Sequence, residues 1–165
     1  MAGTPVAVEY GAARIDQLQT GDVVLGLDLR AGAVCAQKVT TVIQADGTQI
    51  LELDFGDEVV ACTPAHRFYT GRWVAAGDLA SGDRVLRSDG GWQELQDARP
   101  SARRQPVFNL EVEDLHNFLV GQSGLLVHNV KDENGAGNDG PPVVKAPRRR
   151  SQQAYTPRRG RRQGA

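Results

Sequence analysis

The stretch from Val39 to Cys62 decides the fold class, because two apolar runs flank an alternating segment. Val39-Thr40-Thr41-Val42-Ile43 is a β-branched run, and Val59-Val60-Ala61-Cys62 is a second apolar run. Between them the residues alternate, which places Ile50, Glu52 and Asp54 on one face of a strand and Leu51, Leu53 and Phe55 on the other. Asp46-Gly47 and Gly56-Asp57 predict turns between these strands.

Further strands are predicted in the second half of the chain. Val107 to Val112 and Phe118 to Val120 are predicted to be strands, and Leu125 to Val127 is predicted to be a last, buried strand. Helical periodicity is nearly absent, and only Ala12 to Gln19 and Val74 to Ala80 are compatible with a turn or two of helix. Short strands at close spacing with Gly/Asp turns predict a compact all-β domain.

A weak internal repeat relates two parts of this domain. Leu18-Gln19-Thr20-Gly21-Asp22-Val23-Val24-Leu25 matches Leu79-Ala80-Ser81-Gly82-Asp83-Arg84-Val85-Leu86 in register. Each copy places a Leu before a Gly-Asp turn and an apolar strand after it. Gly-Asp turns are common before strands, but the shared register favours duplication over coincidence. A duplicated β unit predicts a pseudo-two-fold fold with a cleft between its halves.

The charges divide the chain into an acidic body and a basic tail. Residues 1–130 carry 10 Lys/Arg and 17 Asp/Glu, a net charge of −7, whereas residues 131–165 carry 9 and 3, a net charge of +6. The tail is rich in Gly and Pro, and its apolar residues Val143, Val144 and Tyr155 are isolated. Such a segment cannot offset the entropy of ordering itself. We therefore predict a folded domain over residues 1–129 and a disordered basic tail over residues 130–165.

Composition excludes several functional classes. Two cysteines, Cys35 and Cys62, exclude a disulfide-dense scaffold and a four-cysteine zinc site, and both are predicted to be ordinary buried residues. No apolar run reaches the roughly 20 residues of a membrane-spanning helix. Met1 to Val8 shows no signal-peptide pattern. The arginines of the tail are compatible either with contact to nucleic acid or another anionic surface, or with a solvated linker.

The three histidines all lie in short motifs. His66 ends Thr63-Pro64-Ala65-His66, His116 precedes Asn117-Phe118, and His128 precedes Asn129. Histidine is the side chain best suited to proton transfer near neutral pH. Together with Gly3-Thr4-Pro5-Val6 and the strand at Val107 to Val112, these motifs resemble in order and spacing those of the Hint (Hedgehog/intein) autoprocessing domain. The bacterial type found in polymorphic toxins is the most similar, and the resemblance covers nearly the whole folded part.

The resemblance implies a Hint fold that rearranges its own peptide bonds in a single turnover, without a metal or organic cofactor. At the N-terminal junction of the family, a Cys converts the preceding peptide bond to a thioester. Carried over to this chain, His66 protonates the departing amide nitrogen and Thr63 hydrogen-bonds the oxyanion. At the C-terminal junction, Asn129 cyclises to a succinimide and cuts the Asn129–Val130 bond. His128 polarises the carbonyl there, and His116 transfers the proton.

Three departures from the family pattern modify this expectation. Met1-Ala2-Gly3-Thr4 stands where the family has Cys-Phe-x-Ala-Gly-Thr, which predicts loss of the thioester step. Val130 replaces the Cys, Ser or Thr of splicing inteins, which predicts cleavage without ligation. Asn109 stands where many inteins carry Asp, which predicts weaker coordination between the two ends.

Two functions from different classes follow. The favoured one is self-cleavage after Asn129, in which the flanking polypeptide of a monomeric chain is the substrate. The alternative is an inactive Hint remnant that serves as a linker or binding module, with the basic tail on an anionic partner. The similarity to toxin relatives implies an exported parent protein.

Overall fold

Strands form nearly all the regular structure of the computed structural model, which describes residues 1–47 and 49–128. In chain order they are β1 (Pro5–Val8), β2 (Gly11–Arg14), β3 (Val23–Asp28), β4 (Ala33–Gly47), β5 (Ile50–Asp54), β6 (Val59–Cys62), β7 (Arg67–Tyr69), β8 (Trp73–Ala75), β9 (Arg84–Leu86), β10 (Trp92–Glu94), β11 (Asp97–Ser101), β12 (Gln105–Val112), β13 (Asn117–Val120) and β14 (Leu125–His128). Two 3₁₀ turns, Ile15–Gln17 and Ala76–Asp78, fall inside the two segments predicted to allow a helical turn. The predicted all-β class is confirmed.

A six-stranded antiparallel sheet organises the domain in the order β2-β1-β13-β14-β7-β8. The β13–β14 hairpin lies at its centre and is flanked by the hairpins β1–β2 and β7–β8. Three smaller sheets, β10-β9, β11-β5-β6 and β12-β4-β3, complete the described structure. The central hairpin carries His128 at its end, next to β7, so the sheet order brings the last strand beside the Thr63–His66 segment.

The repeated sequence has the same backbone structure in both copies, as a pseudo-two-fold domain requires. In the first copy Asp22 Oδ2 accepts from the Gln19 N–H at 2.8 Å, and the Gly21 N–H donates to Val39 O at 2.8 Å. In the second copy Asp83 Oδ2 accepts from the Ala80 N–H at 2.9 Å, and the Gly82 N–H donates to Leu95 O at 2.8 Å. A 3₁₀ turn precedes each copy.

We expect Gly21→Ala and Gly82→Ala to lower the free energy of unfolding by similar amounts, about 1–3 kcal/mol each. The two glycines have φ of +98° and +91°, and an added Cβ would meet no atom within 4 Å at either position. The cost therefore comes from backbone strain, which is the same in both halves. Urea unfolding of both variants measures it, and a loss confined to one of them would contradict the equivalence of the halves.

One principal core connects the sheets. Its largest fully buried side chains include Phe55, Phe68, Phe118, Leu53 and Leu110. Both faces of β5 contain a buried residue: Leu53 is buried on one face, and Ile50 is buried on the face that it shares with Glu52 and Asp54. β5 pairs with both β6 and β11 and is the central strand of its sheet.

The turn predicted at Asp46-Gly47 is wrong. Strand β4 continues through both residues, which pair with Pro106 and Gln105 of β12. The long ladder to β12 supplies more backbone hydrogen bonds than a local turn would. The turn at Gly56 is confirmed: its N–H donates to Asp54 Oδ1 at 2.8 Å, and its φ is +92°. Asn129 and the predicted tail lie outside the described residues. Within residues 1–47 and 49–128, no helix is long and apolar enough to cross a membrane.

Candidate functional site

A cavity beside the central sheet collects three of the predicted site residues. Thr63 and His66 line it from the loop after β6, and Asn109 lines it from β12. Met1 and Cys62 also line it. Strands that are far apart in the sequence therefore bring the N-terminal segment, the Thr63–His66 motif and Asn109 to one place.

The Thr63–His66 segment forms a tight turn that a second element braces. The His66 N–H donates to Thr63 O at 3.1 Å and closes the turn. From the 3₁₀ turn, the Ala76 N–H donates to His66 O at 2.7 Å and the Gly77 N–H donates to Pro64 O at 2.9 Å. A Cβ added at Gly77 would lie 3.3 Å from Pro64 Cβ, so the two segments pack closely. The backbone of the motif is thus held by its own hydrogen bond and by two hydrogen bonds from the 3₁₀ turn.

The imidazole of His66 is neutral at neutral pH. Burial, the positive charge of the N-terminus and the electrostatic interaction with His128 lower the pKa of His66 to about 4. Its ring packs edge-on against Phe68, with ring centroids 5.5 Å apart. A neutral imidazole has one N–H donor and one acceptor nitrogen, so it can both give and take a proton during a reaction.

We expect the free energy of unfolding to fall as the pH decreases from about 6.5 to about 4. The pKa of both His66 and His128 is lowered from 6.5 to about 4 in the folded protein. Between these values the unfolded chain binds more protons than the folded one, so acid favours unfolding. Urea titrations across this window measure the slope. His66→Gln should make it shallower, and an unchanged slope in that variant would contradict the assignment.

His128 is the last residue of strand β14, and its ring packs against an aromatic side chain. Its ring lies 4.7 Å from that of Trp73, centroid to centroid, and Trp73 in turn packs edge-on against Tyr69. Burial, then the charges of His116 and Arg67, lower the pKa of His128 to about 4. Its Nδ1 atom is buried and has no hydrogen-bond partner within residues 1–47 and 49–128. The ring thus packs against Trp73, and its Nδ1 is unpartnered among the described residues.

His116 lies between β12 and β13, on the segment that leads into the central hairpin. Its side chain is exposed and its backbone is left-handed, with φ of +52°. The next residue, Asn117, pairs with His128 across the β13–β14 ladder. This register places His116 near His128, in keeping with the electrostatic interaction between the two rings.

Asn109 and Cys62 contribute less directly to the cavity. Asn109 Oδ1 accepts from the Leu110 N–H at 2.9 Å, which occupies one of its polar atoms. Cys62 is buried as predicted, and burial raises the pKa of its thiol to about 12. A thiol with that pKa stays protonated at neutral pH and is a weak nucleophile. Cys35, predicted to be buried, is instead partly exposed, and both cysteines are free.

Thr63, His66 and Asn109 therefore line one cavity, and the β13–β14 ladder pairs His128 with Asn117, the residue that follows His116. Asn129 follows His128 in the chain and lies outside the described residues. Sequence reasoning missed Trp73, Gly77, Gln37 and the amide of Asn117 as supports of these groups. Asn117 carried a usable signal, because it adjoins His116 in the motif. Gln37 carried none, because only the folded chain brings it near His116.

Comparison with known proteins agrees with this architecture. The profile of the pretoxin HINT domain family matches residues 6–130. The bacterial intein-like domain from Clostridium thermocellum is 30% identical with a TM-score of 0.73, covering 78% of this chain and 96% of its own. The MchDnaB-1 intein is 25% identical with a TM-score of 0.66, covering 78% and 98%. A DnaB intein from Synechocystis, 20% identical with a TM-score of 0.69 over 79% and 98%, supports the fold alone. Curated protein sequences gave no match.

Proposed function

Because this chain belongs to the pretoxin Hint domain family, we propose that it cleaves its own peptide bond after Asn129 by cyclisation of that residue. A Hint domain is consistent with self-processing of its flanking polypeptide. The observation that carries the proposal is the arrangement at the end of β14, where His128 has a buried Nδ1 that is unpartnered among the described residues and pairs with Asn117, the residue that follows His116. Asn129 is the next residue in the chain.

The proposed step forms one bond and breaks one. The Asn129 side-chain nitrogen attacks the Asn129 carbonyl carbon, and the bond from that carbon to the Val130 nitrogen breaks. His128 Nδ1–H donates to the carbonyl oxygen as negative charge develops on it. His116 takes a proton from the attacking amide and passes it to the departing amine of Val130. No water is consumed, so the products are a succinimide-ended body and a free C-terminal segment.

A folded site is needed for this reaction because the unassisted one is slow. An amide nitrogen is a poor nucleophile, and the β-branched Val130 crowds the carbonyl under attack. Holding the reacting groups in an attack geometry can lower such a barrier by up to roughly 7–11 kcal/mol. The braced ring of His128 fits this requirement, because its contact with Trp73 restricts its motion.

The cavity at Thr63 and His66 is assigned to the N-terminal junction. We place Thr63 as a donor to an oxyanion there, His66 as the proton-transfer group, and Asn109 as a link between the junctions. Met1 also lines this cavity. Val130 provides no hydroxyl or thiol for a second acyl transfer. The proposal is therefore C-terminal cleavage without ligation.

Intact-mass spectrometry of the purified 165-residue chain over days at neutral pH tests the proposal. We expect loss of Val130–Ala165 and accumulation of a body that ends at Asn129. Asn134-Gly135 provides an internal control, because it is the sterically easier site for spontaneous succinimide formation. Reaction at Asn134 with none at Asn129 would overturn the proposal and favour the inactive remnant.

A further inference from the structure

Two polar side chains in the described part of the chain are buried, and both form hydrogen bonds to the same backbone segment. Gln37 of β4 is 4% exposed and Asn117 of β13 is 3% exposed. Buried amides need hydrogen-bond partners, since an unsatisfied one costs free energy. Their partners therefore show which part of the backbone they hold.

Both amides hold Leu115, the residue immediately before His116. Gln37 Oε1 accepts from the Leu115 N–H at 3.1 Å, and Asn117 Nδ2 donates to Leu115 O at 3.4 Å. The donor and the acceptor of one peptide residue are thus both bound by buried side chains. Because Leu115 is bonded to His116, this arrangement restricts where His116 can lie.

Strand β3 binds the side-chain amide of Asn117 through the backbone of Leu27. Asn117 Oδ1 accepts from the Leu27 N–H at 2.8 Å, and Asn117 Nδ2 donates to Leu27 O at 3.0 Å. The adjacent Gly26 provides the necessary space: a Cβ there would lie 2.6 Å from Asn117 O, 2.8 Å from Asn117 Oδ1 and 3.0 Å from Gln37 Cγ. The absence of a side chain at Gly26 allows both amides to reach their partners.

The segment held in this way is conformationally strained. Asp114 and His116 have φ of +55° and +52°, and they are the non-glycine residues with positive φ in the described chain. Such residues persist where the surrounding structure determines their conformation, and they are frequent at functional sites. The two buried amides fix the backbone around His116: both bind Leu115, which precedes it, and Asn117 is the residue that follows it.

From this geometry we propose that Gln37 and Asn117 are positioning residues, which hold the His116 backbone so that its imidazole faces His128. This inference rests on the proposed function and extends it to residues that touch no reacting atom. Their effect on cleavage is exerted through His116. Without the amides, His116 is free to relax to φ below zero and its ring moves away from His128.

Amide hydrogen exchange tests the structural part without any cleavage. In the wild-type chain the Leu115 N–H is expected to be protected, and Gln37→Met removes its acceptor. Gln93→Met is the matched control, because Gln93 lies on a different sheet and its Nε2 donates to Phe55 O at 3.0 Å, as Gln37 Nε2 donates to Ala36 O at 2.9 Å. We expect faster exchange at Leu115 in Gln37→Met alone. Equal protection in all three chains would overturn the inference.

A double-mutant cycle tests the functional part. We expect Gln37→Met to slow C-terminal cleavage about 10- to 100-fold in the full chain, with Gln93→Met unchanged. In the His116→Ala background the same change should alter the rate less than about 2-fold, because Gln37 acts only through His116. Gln37→Asn, a shorter amide that does not reach Leu115, should repeat the result if Gln37→Met folds poorly.

The outcomes separate the two proposals. An intact wild-type chain would overturn the proposed function and this role with it. A wild-type chain that cleaves, with Gln37→Met slowing cleavage equally in both backgrounds, would overturn the positioning role alone. Slowing that requires His116 supports both.

Discussion

The Asn129→Ala variant is expected to remain a single intact chain under conditions in which the wild-type chain releases residues 130–165. The side-chain amide of Asn129 is itself the proposed nucleophile, so its removal leaves no group to form the succinimide. The loss of cleavage should be complete within detection, unlike the partial losses expected for residues that only assist. Intact-mass spectrometry of both chains over the same days measures it.

The matched control for this variant is Asn134→Ala. It removes an Asn from the same C-terminal region without touching the proposed scissile bond, so its cleavage should match that of the wild type. Unfolding transitions that coincide for both variants would show that the domain is equally folded. Continued cutting between residues 129 and 130 in Asn129→Ala would refute the cyclisation mechanism.

The His128→Ala variant is expected to slow cleavage by about 10²–10³-fold, the usual cost of removing one donor to a developing oxyanion. The variant removes the donor proposed for the Asn129 carbonyl oxygen and the ring that Trp73 holds. The nucleophile is still present, so cleavage should be slow but not absent. First-order rate constants from quenched time courses measure the effect.

His128→Gln distinguishes a chemical role from a packing role. Glutamine retains an N–H donor but cannot act as an acid or base, so its rate should lie between those of His128→Ala and the wild type. Urea unfolding of each variant shows how much stability the contact with Trp73 provides. A folded His128→Ala chain that cleaves at the wild-type rate would remove His128 from the mechanism.

The fold was accessible from the sequence where local chemistry decides it. The Gly-Asp turns of the repeat require positive φ at Gly21 and Gly82 and a side-chain acceptor at Asp22 and Asp83, and all four features are present. Long-range pairing was not accessible. Asp46-Gly47 has the composition of a turn, yet the ladder from β12 extends β4 through it.

In the candidate site, too, the residues marked by a local motif were predictable and those placed by tertiary pairing were not. Its histidines were identifiable because each lies in a short motif, and the β13–β14 ladder pairs His128 with Asn117, the neighbour of His116. Their supports were not identifiable, because Trp73 and Gln37 reach the site only through tertiary pairing of strands remote in the sequence. The burial that lowers the pKa of His66 and His128 was not predictable either, because it has no signature in their neighbours along the chain.

The most direct measurement is the exact mass of the two fragments released by the wild-type chain. Cyclisation breaks one bond and forms another without water, so the two fragment masses should sum to the mass of the intact chain. The body should then gain one water as its terminal succinimide hydrolyses. Fragments whose masses sum from the start to the intact mass plus one water would show hydrolysis instead, and would contradict self-cleavage by Asn129.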